Sequence, residues 1–96
     1  MSTKEAYSMK IEAELDLAKA KLAVFRAHAK NAAADLRIEY GHIADDLEKR
    51  YENTKTKLHE LSDSSGNAWE ALKGGVDRAW GECKTGVSEA SAKFKI

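Results

Sequence analysis

Proline is absent from this chain, and cysteine occurs once, as Cys83. A lone cysteine closes no internal disulfide, which excludes the small secreted folds framed by several bridges. Without proline, the residue that most sharply ends a helix is missing, so helical segments can run long. Aromatic residues make up only 7% of the 96, and a single domain of this size buries a modest core by itself. Charge of one sign is lacking too. Sixteen basic residues balance 16 acidic ones, leaving no net field to hold the protein on DNA or RNA. No window approaches the ~18 apolar residues of a transmembrane helix, and Met1-Ser2-Thr3-Lys4-Glu5 contains no apolar signal core. The expectation is a soluble, cytoplasmic protein with no nucleic-acid partner.

What is present is periodic. Charged residues are 33% of the chain, and the richness in Ala, Glu, Lys and Leu fits a long-helix or coiled-coil class. Ser2 and Glu5 fit a capping box at a helix start. From there Ile11, Leu15, Ala18, Leu22, Phe25, Ala29, Ala33, Leu36, Tyr40, Ile43, Leu47, Tyr51, Thr54, Leu58 and Leu61 recur at steps of three and four. The spacing predicts one long helix over about 3–63, a rod of ~90 Å at 1.5 Å per residue. Ile38 lies opposite this stripe.

A repeat of eleven residues dominates the C-terminal third. Ala68-Trp69-Glu70-Ala71-Leu72-Lys73-Gly74-Gly75-Val76-Asp77-Arg78 is followed by Ala79-Trp80-Gly81-Glu82-Cys83-Lys84-Thr85-Gly86-Val87-Ser88-Glu89, and a third copy begins at Ala90. Trp69 aligns with Trp80, Leu72 with Cys83 and Phe94, and Val76 with Val87. Eleven residues span three helical turns, so each aligned set forms a line along one helix over about 68–94. Projection puts Gly74, Gly75 and Gly86 on the side away from Trp69, Leu72 and Val76, with Gly81 at the flank. Each glycine costs a helix about 1 kcal/mol relative to alanine, so this helix needs its apolar face covered.

Between the two helices, Ser62-Asp63-Ser64-Ser65-Gly66-Asn67 interrupts the pattern. Gly66 suits a left-handed helix end, and Asn67 with Glu70 repeats the capping signature. An antiparallel hairpin with a turn at about 64–67 and one continuous kinked helix both satisfy the phase; the hairpin is the favoured expectation. It docks Trp69, Leu72, Val76 and Trp80 on Leu36, Tyr40, Ile43, Leu47 and Leu58. It also leaves the alanine-rich half, residues 6–33, without cover, which implies a homo-oligomer.

Lys73, Lys84 and Lys95 run along one border of the Trp stripe, and Ala68, Ala79 and Ala90 along the other. A lysine border beside tryptophans suits the flank of a coiled-coil seam. It also suits a helix lying on an anionic membrane surface, the alternative partner, which the zero net charge disfavours. Glu39-Tyr40-Gly41-His42 contains the Glu-x-x-His pair of di-iron bundles, but Tyr40 and Ile43 define the inward side and His42 falls well outside it. His28 and His59 have no ligand set beside them. Cys83, on the Leu72 and Phe94 line, reads as a small buried hydrophobe, with an intermolecular disulfide or redox role as the alternative. Lys73-Gly74-Gly75 lacks the other residues of a phosphate loop, and no nucleophile arrangement or carboxylate pair is present. We expect no enzyme, no cofactor, no metal and no small-molecule substrate.

The segment from Ser65 to Trp80, Ser-Gly-Asn-Ala-Trp-Glu-Ala-Leu-Lys-Gly-Gly-Val-Asp-Arg-Ala-Trp, resembles a family of small bacterial coiled-coil proteins that read Ser-Gly-x-Ala-Trp-x-x-Leu-Lys-x-Gly-Val-x-x-Ala-Trp after a long charged helix. The likeness covers most of residues 30–94, and some members are described as stress-response proteins. It implies a bacterial, cytoplasmic, stress-linked coiled coil and transfers no catalytic residue. Cys83 stands here where a leucine is expected, and Gly81 is an addition. The fold class expected is all-α, a long helix and a shorter C-terminal helix forming an oligomeric hairpin or coiled coil.

Overall fold

The computed structural model describes residues 2–96 and contains three helices, α1 (Thr3–Asn31), α2 (Ala34–Ser62) and α3 (Ala68–Phe94), with no strand among the described residues. The chain is all-α as expected. The single helix over 3–63 is not formed. Ala32 and Ala33 leave the helical region, with φ/ψ of −72/158° and −57/152°, and the chain turns back on itself there. The stripe keeps its phase across these two residues, so periodicity alone carries no sign of the break. Charge does carry one, because His28 and Lys30 in the last turn of α1 and Asp35 in the first turn of α2 each complement a helix end.

Contacts along the helices set the register. Arg26 of α1 holds Asp45 and Glu48 of α2 at 2.8 and 2.6 Å, while the Lys4 ammonium donates to the Ser64 carbonyl at the other end. Arg50 donates to the Glu82 carbonyl at 3.1 Å, and Lys93 pairs with Glu39 at 2.7 Å. Residue numbers therefore rise along one helix as they fall along its neighbour, an up-down-up arrangement measuring 52 × 20 × 18 Å. The ion pairs are exposed to solvent, which screens them, so they fix register more than they stabilise. Apolar burial carries the fold.

That burial forms two clusters along the bundle axis. Ile11, Leu15 and Ala18 meet Tyr51, Leu58, Leu61, Val76 and Cys83; further along, Leu22 and Phe25 meet Ala44, Leu47, Ala90 and Phe94. Phe94 sits between Phe25 and Tyr40, with ring centroids 5.3 and 4.6 Å away. The inward stripe of residues 6–33, expected to lie uncovered, is thus covered within the chain, and the argument that its unburied length demands an oligomer falls away. Thr54, a buried polar residue of the core, donates its hydroxyl to the Arg50 carbonyl one turn back at 2.9 Å.

The helix ends follow local chemistry in part. The Ser2 hydroxyl accepts from the Glu5 amide at 3.1 Å, the serine half of the expected capping box. Gly66 takes φ +62°, the left-handed conformation anticipated for it, whereas Asn67 makes no side-chain cap bond. The inward face of α3 also differs from expectation. Val76, Ala79, Cys83, Gly86, Ala90 and Phe94 are buried, and Trp69, Leu72 and Trp80 lie at its edge. Small residues let α3 approach α2 closely, while the half-buried indoles pack against the edge of the core. Gly86, projected outward, in fact packs closely against α2. A Cβ there would stand 3.1 Å from Leu47 Cδ2 and Arg50 Nη1.

Ala33→Pro should stabilise the protein by about 0.4–1 kcal/mol in urea unfolding. Its φ of −57° already suits proline, Ala32 before it is extended, and its amide donates no backbone hydrogen bond among the described residues. A continuous helix would instead lose about 3 kcal/mol. Gly74 faces open space, so Gly74→Ala should add about 1 kcal/mol, whereas Gly86→Leu should cost about 1–3 kcal/mol by overpacking against Leu47 and Arg50.

Candidate interaction surface

The sequence-predicted docking residues divide three ways. Val76, Leu47 and Leu58 are buried in the core. Trp69, Leu72, Trp80, Tyr40 and Ile43 are half-buried and pack against it. Leu36 does not join the seam. It lies in the first turn of α2, outside both core clusters, and is 38% exposed.

The lysine border also divides. Lys73 pairs with Asp77 at 3.3 Å and lies 5.0 Å from the Tyr7 ring centroid. Lys84 is exposed at the rim of a groove between α1 and α3. Lys95 ends α3 in a left-handed conformation. The groove encloses about 630 Å³; Leu17, Ala18, Trp80, Val87 and Ile96 form its apolar lining, and Glu14, Lys21 and Lys84 its charged groups.

Of the candidate chemical groups, Glu39 is engaged by Lys93, and His42 is exposed. No cluster of three or more His, Cys, Asp or Glu side chains poised for a metal occurs among the described residues. Cys83 is wholly buried, and burial pushes its thiol above the usual range, only partly offset by Arg50. An intermolecular disulfide through it would require α3 to leave the bundle.

One polar contact ties α1 to α3. The Tyr7 hydroxyl donates to Asp77 Oδ1, and the Tyr7 ring meets Trp69 edge-on at 5.5 Å. Burial first, then the bond to Asp77, pushes the tyrosine well up; the same bond, helped by Lys73 and Lys10, holds the Asp77 carboxyl below the usual range.

The surface feature that sequence reasoning missed lies on α1. Its core-facing residues are Ile11, Leu15, Ala18, Leu22, Phe25 and Ala29. On the opposite face Met9, Leu17 and Val24 are 55, 68 and 47% exposed, and Ala6, Ala13, Ala20 and Ala27 between them are exposed as well. The signal was present as a second three-four rhythm, masked by the stronger inner stripe. Ile38, already singled out as lying off the stripe, is 72% exposed on α2.

These features describe an all-α three-helix protein whose core is closed and whose first helix is apolar on two faces. No family model, curated protein or solved structure matches the chain.

The Tyr7 and Asp77 pair gives a pH signature. Asp77, depressed in the folded state, adds stability that is present above about pH 4 and lost as pH falls through its folded value. Tyr7, raised, adds stability that is complete below about pH 10 and lost as pH rises toward its folded value. Tyr7→Phe should therefore flatten both the acid and the alkaline limbs of the stability profile, measured by thermal unfolding across pH.

Proposed function

We infer that this is a non-enzymatic helical interaction protein that presents apolar helix faces to a protein partner. The supporting observation is the set of large apolar side chains left outside a core that is already filled. Leu17 and Ile38 are the most exposed of them, and Met9, Val24 and Leu36 accompany them. Single exposed apolar residues are ordinary on any surface, but several on one face of one helix form a contact patch. The α3 repeat, with Val76 and Cys83 buried, serves the chain's own core, so assembly uses other faces. The likeness of the two-Trp segment to small bacterial stress-response coiled coils supplies the proposed setting, a stress-linked structural or assembly role in the cytoplasm.

A peripheral lipid-binding role is the second reading, favoured by the α1–α3 groove with lysines on its apolar rim. No helix among the described residues is long and apolar enough to cross a membrane, so such contact would be at the surface.

Photo-cross-linking separates the two. With a benzophenone amino acid at position 17, illumination of producing cells should yield a protein adduct, and the same probe at the exposed Lys49 position should not. Recovery of lipid adducts alone at position 17 would favour the membrane reading, and the absence of any protein adduct would overturn the first one.

A further inference from the structure

The outer face of α1 has a pattern specific enough to name its occupant. Ala6, Ala13, Ala20 and Ala27 recur every seven residues, and Lys10, Leu17 and Val24 recur every seven between them. These are the two seam positions of a heptad, one all alanine and the other large. All seven are exposed and lie on the side of α1 away from its core-facing residues, with Leu17 also lining the α1–α3 groove. The ridge spans about 30 Å.

We propose that a second copy of this chain docks on this ridge, α1 against α1, antiparallel about a two-fold axis between positions 18 and 19. The inference rests on the reading of the protein as an interaction module and identifies the partner.

Shape supports the orientation. In the antiparallel register Leu17 faces Ala20 of the second copy, Val24 faces Ala13, and the Lys10 stem faces Ala27, with each contact repeated by the two-fold axis. Every layer then pairs one large side chain with one alanine, which holds the two helices at a uniform close distance. A parallel pairing instead stacks Leu17 on Leu17 and alanine on alanine, giving uneven layers, and sets Lys10 against Lys10.

Charge selects the register. Glu14 and Lys21 flank the seam on its α3 side, and the ion pairs of the bundle leave both without a partner among the described residues. Those pairs join Arg26 to Asp45 and Glu48, Arg50 to Asp46, His59 to Asp63, Lys73 to Asp77, and Lys93 to Glu39. In the proposed register Glu14 of each copy lies beside Lys21 of the other, giving two opposite-charge contacts. Sliding the helices by one heptad, to centre the axis on position 15, also matches large with small residues. It places Glu14 against Glu14 and Asp16 against Asp16, so like charges reject it.

Sedimentation of the purified protein across a concentration series tests the proposal. A dimer is expected, and Leu17→Glu should weaken it by about tenfold or more while leaving helicity intact, because position 17 is outside the core. Glu14→Lys and Lys21→Glu should each weaken it a few-fold, and the two together should restore it. For orientation, Ala13→Cys and Val24→Cys chains should form a disulfide only when mixed, with the buried Cys83 out of reach. A monomer at every concentration, a dimer indifferent to Leu17→Glu, or self-cross-linking of either cysteine variant alone would overturn the proposal. Capture of a different protein at position 17 by a monomeric chain would sink self-pairing and leave the interaction reading standing; capture of no protein there would sink both.

Discussion

Every side chain on the inward stripe has to find cover inside one 96-residue chain, and two non-helical residues make this possible. Ala32 and Ala33 reverse the direction between α1 and α2, and Gly66 with its neighbours reverses it again before α3. A sixty-residue helix would have left roughly half of its stripe in water, at a cost of about 25 cal/mol for each Å² of apolar surface. Folding at two points converts a rod that needs partners into a bundle 52 Å long that encloses its own core.

The close approach of α2 and α3 follows from the same constraint. Three helices pack with few voids only if some side chains are small, and α3 provides Ala79, Gly86 and Ala90 along its buried line. Leu47 and the Arg50 stem occupy the space that a side chain at position 86 would fill. Arg50 then reaches past that contact to the Glu82 carbonyl and to Asp46 at 3.0 Å, so one side chain joins packing to polar anchoring. Between α1 and α3 the arrangement is looser. Tyr7 and Trp69 close one end, Phe25 and Phe94 the other, and an open groove lies between them.

This asymmetry leaves α1 with an unusual surface for a helix of a closed bundle. A helix at the edge of a three-helix bundle ordinarily needs one apolar stripe, yet α1 carries a second one facing solvent, bordered by charges that the bundle itself does not pair. The function proposed above depends on that second stripe, whereas the eleven-residue repeat in α3, the most regular pattern in the sequence, serves the fold.

Much of the architecture is legible in the residues. The three-four spacing of Ile11 through Leu61 marks the core-facing side of both long segments, Gly66 takes the left-handed turn its type suits, and Val76, Leu47 and Leu58 lie in the interior. These features are local, because periodicity and turn chemistry act over a few residues and need no knowledge of neighbours. The break at Ala32 and Ala33 was not legible. Alanine is the best helix former, and two of them leave the helix only because covering α1 with α2 and α3 outweighs two residues of helix propensity. The exposed position of Leu36, the burial of Gly86 and the placing of both tryptophans at the rim arise in the same way, from which helix lies opposite and how near. The sequence by itself thus determined helicity and which side chains must be hidden, since both are properties of spacing along one chain. Only the tertiary structure decided what hides them, and therefore which apolar face of α1 is left over for a partner.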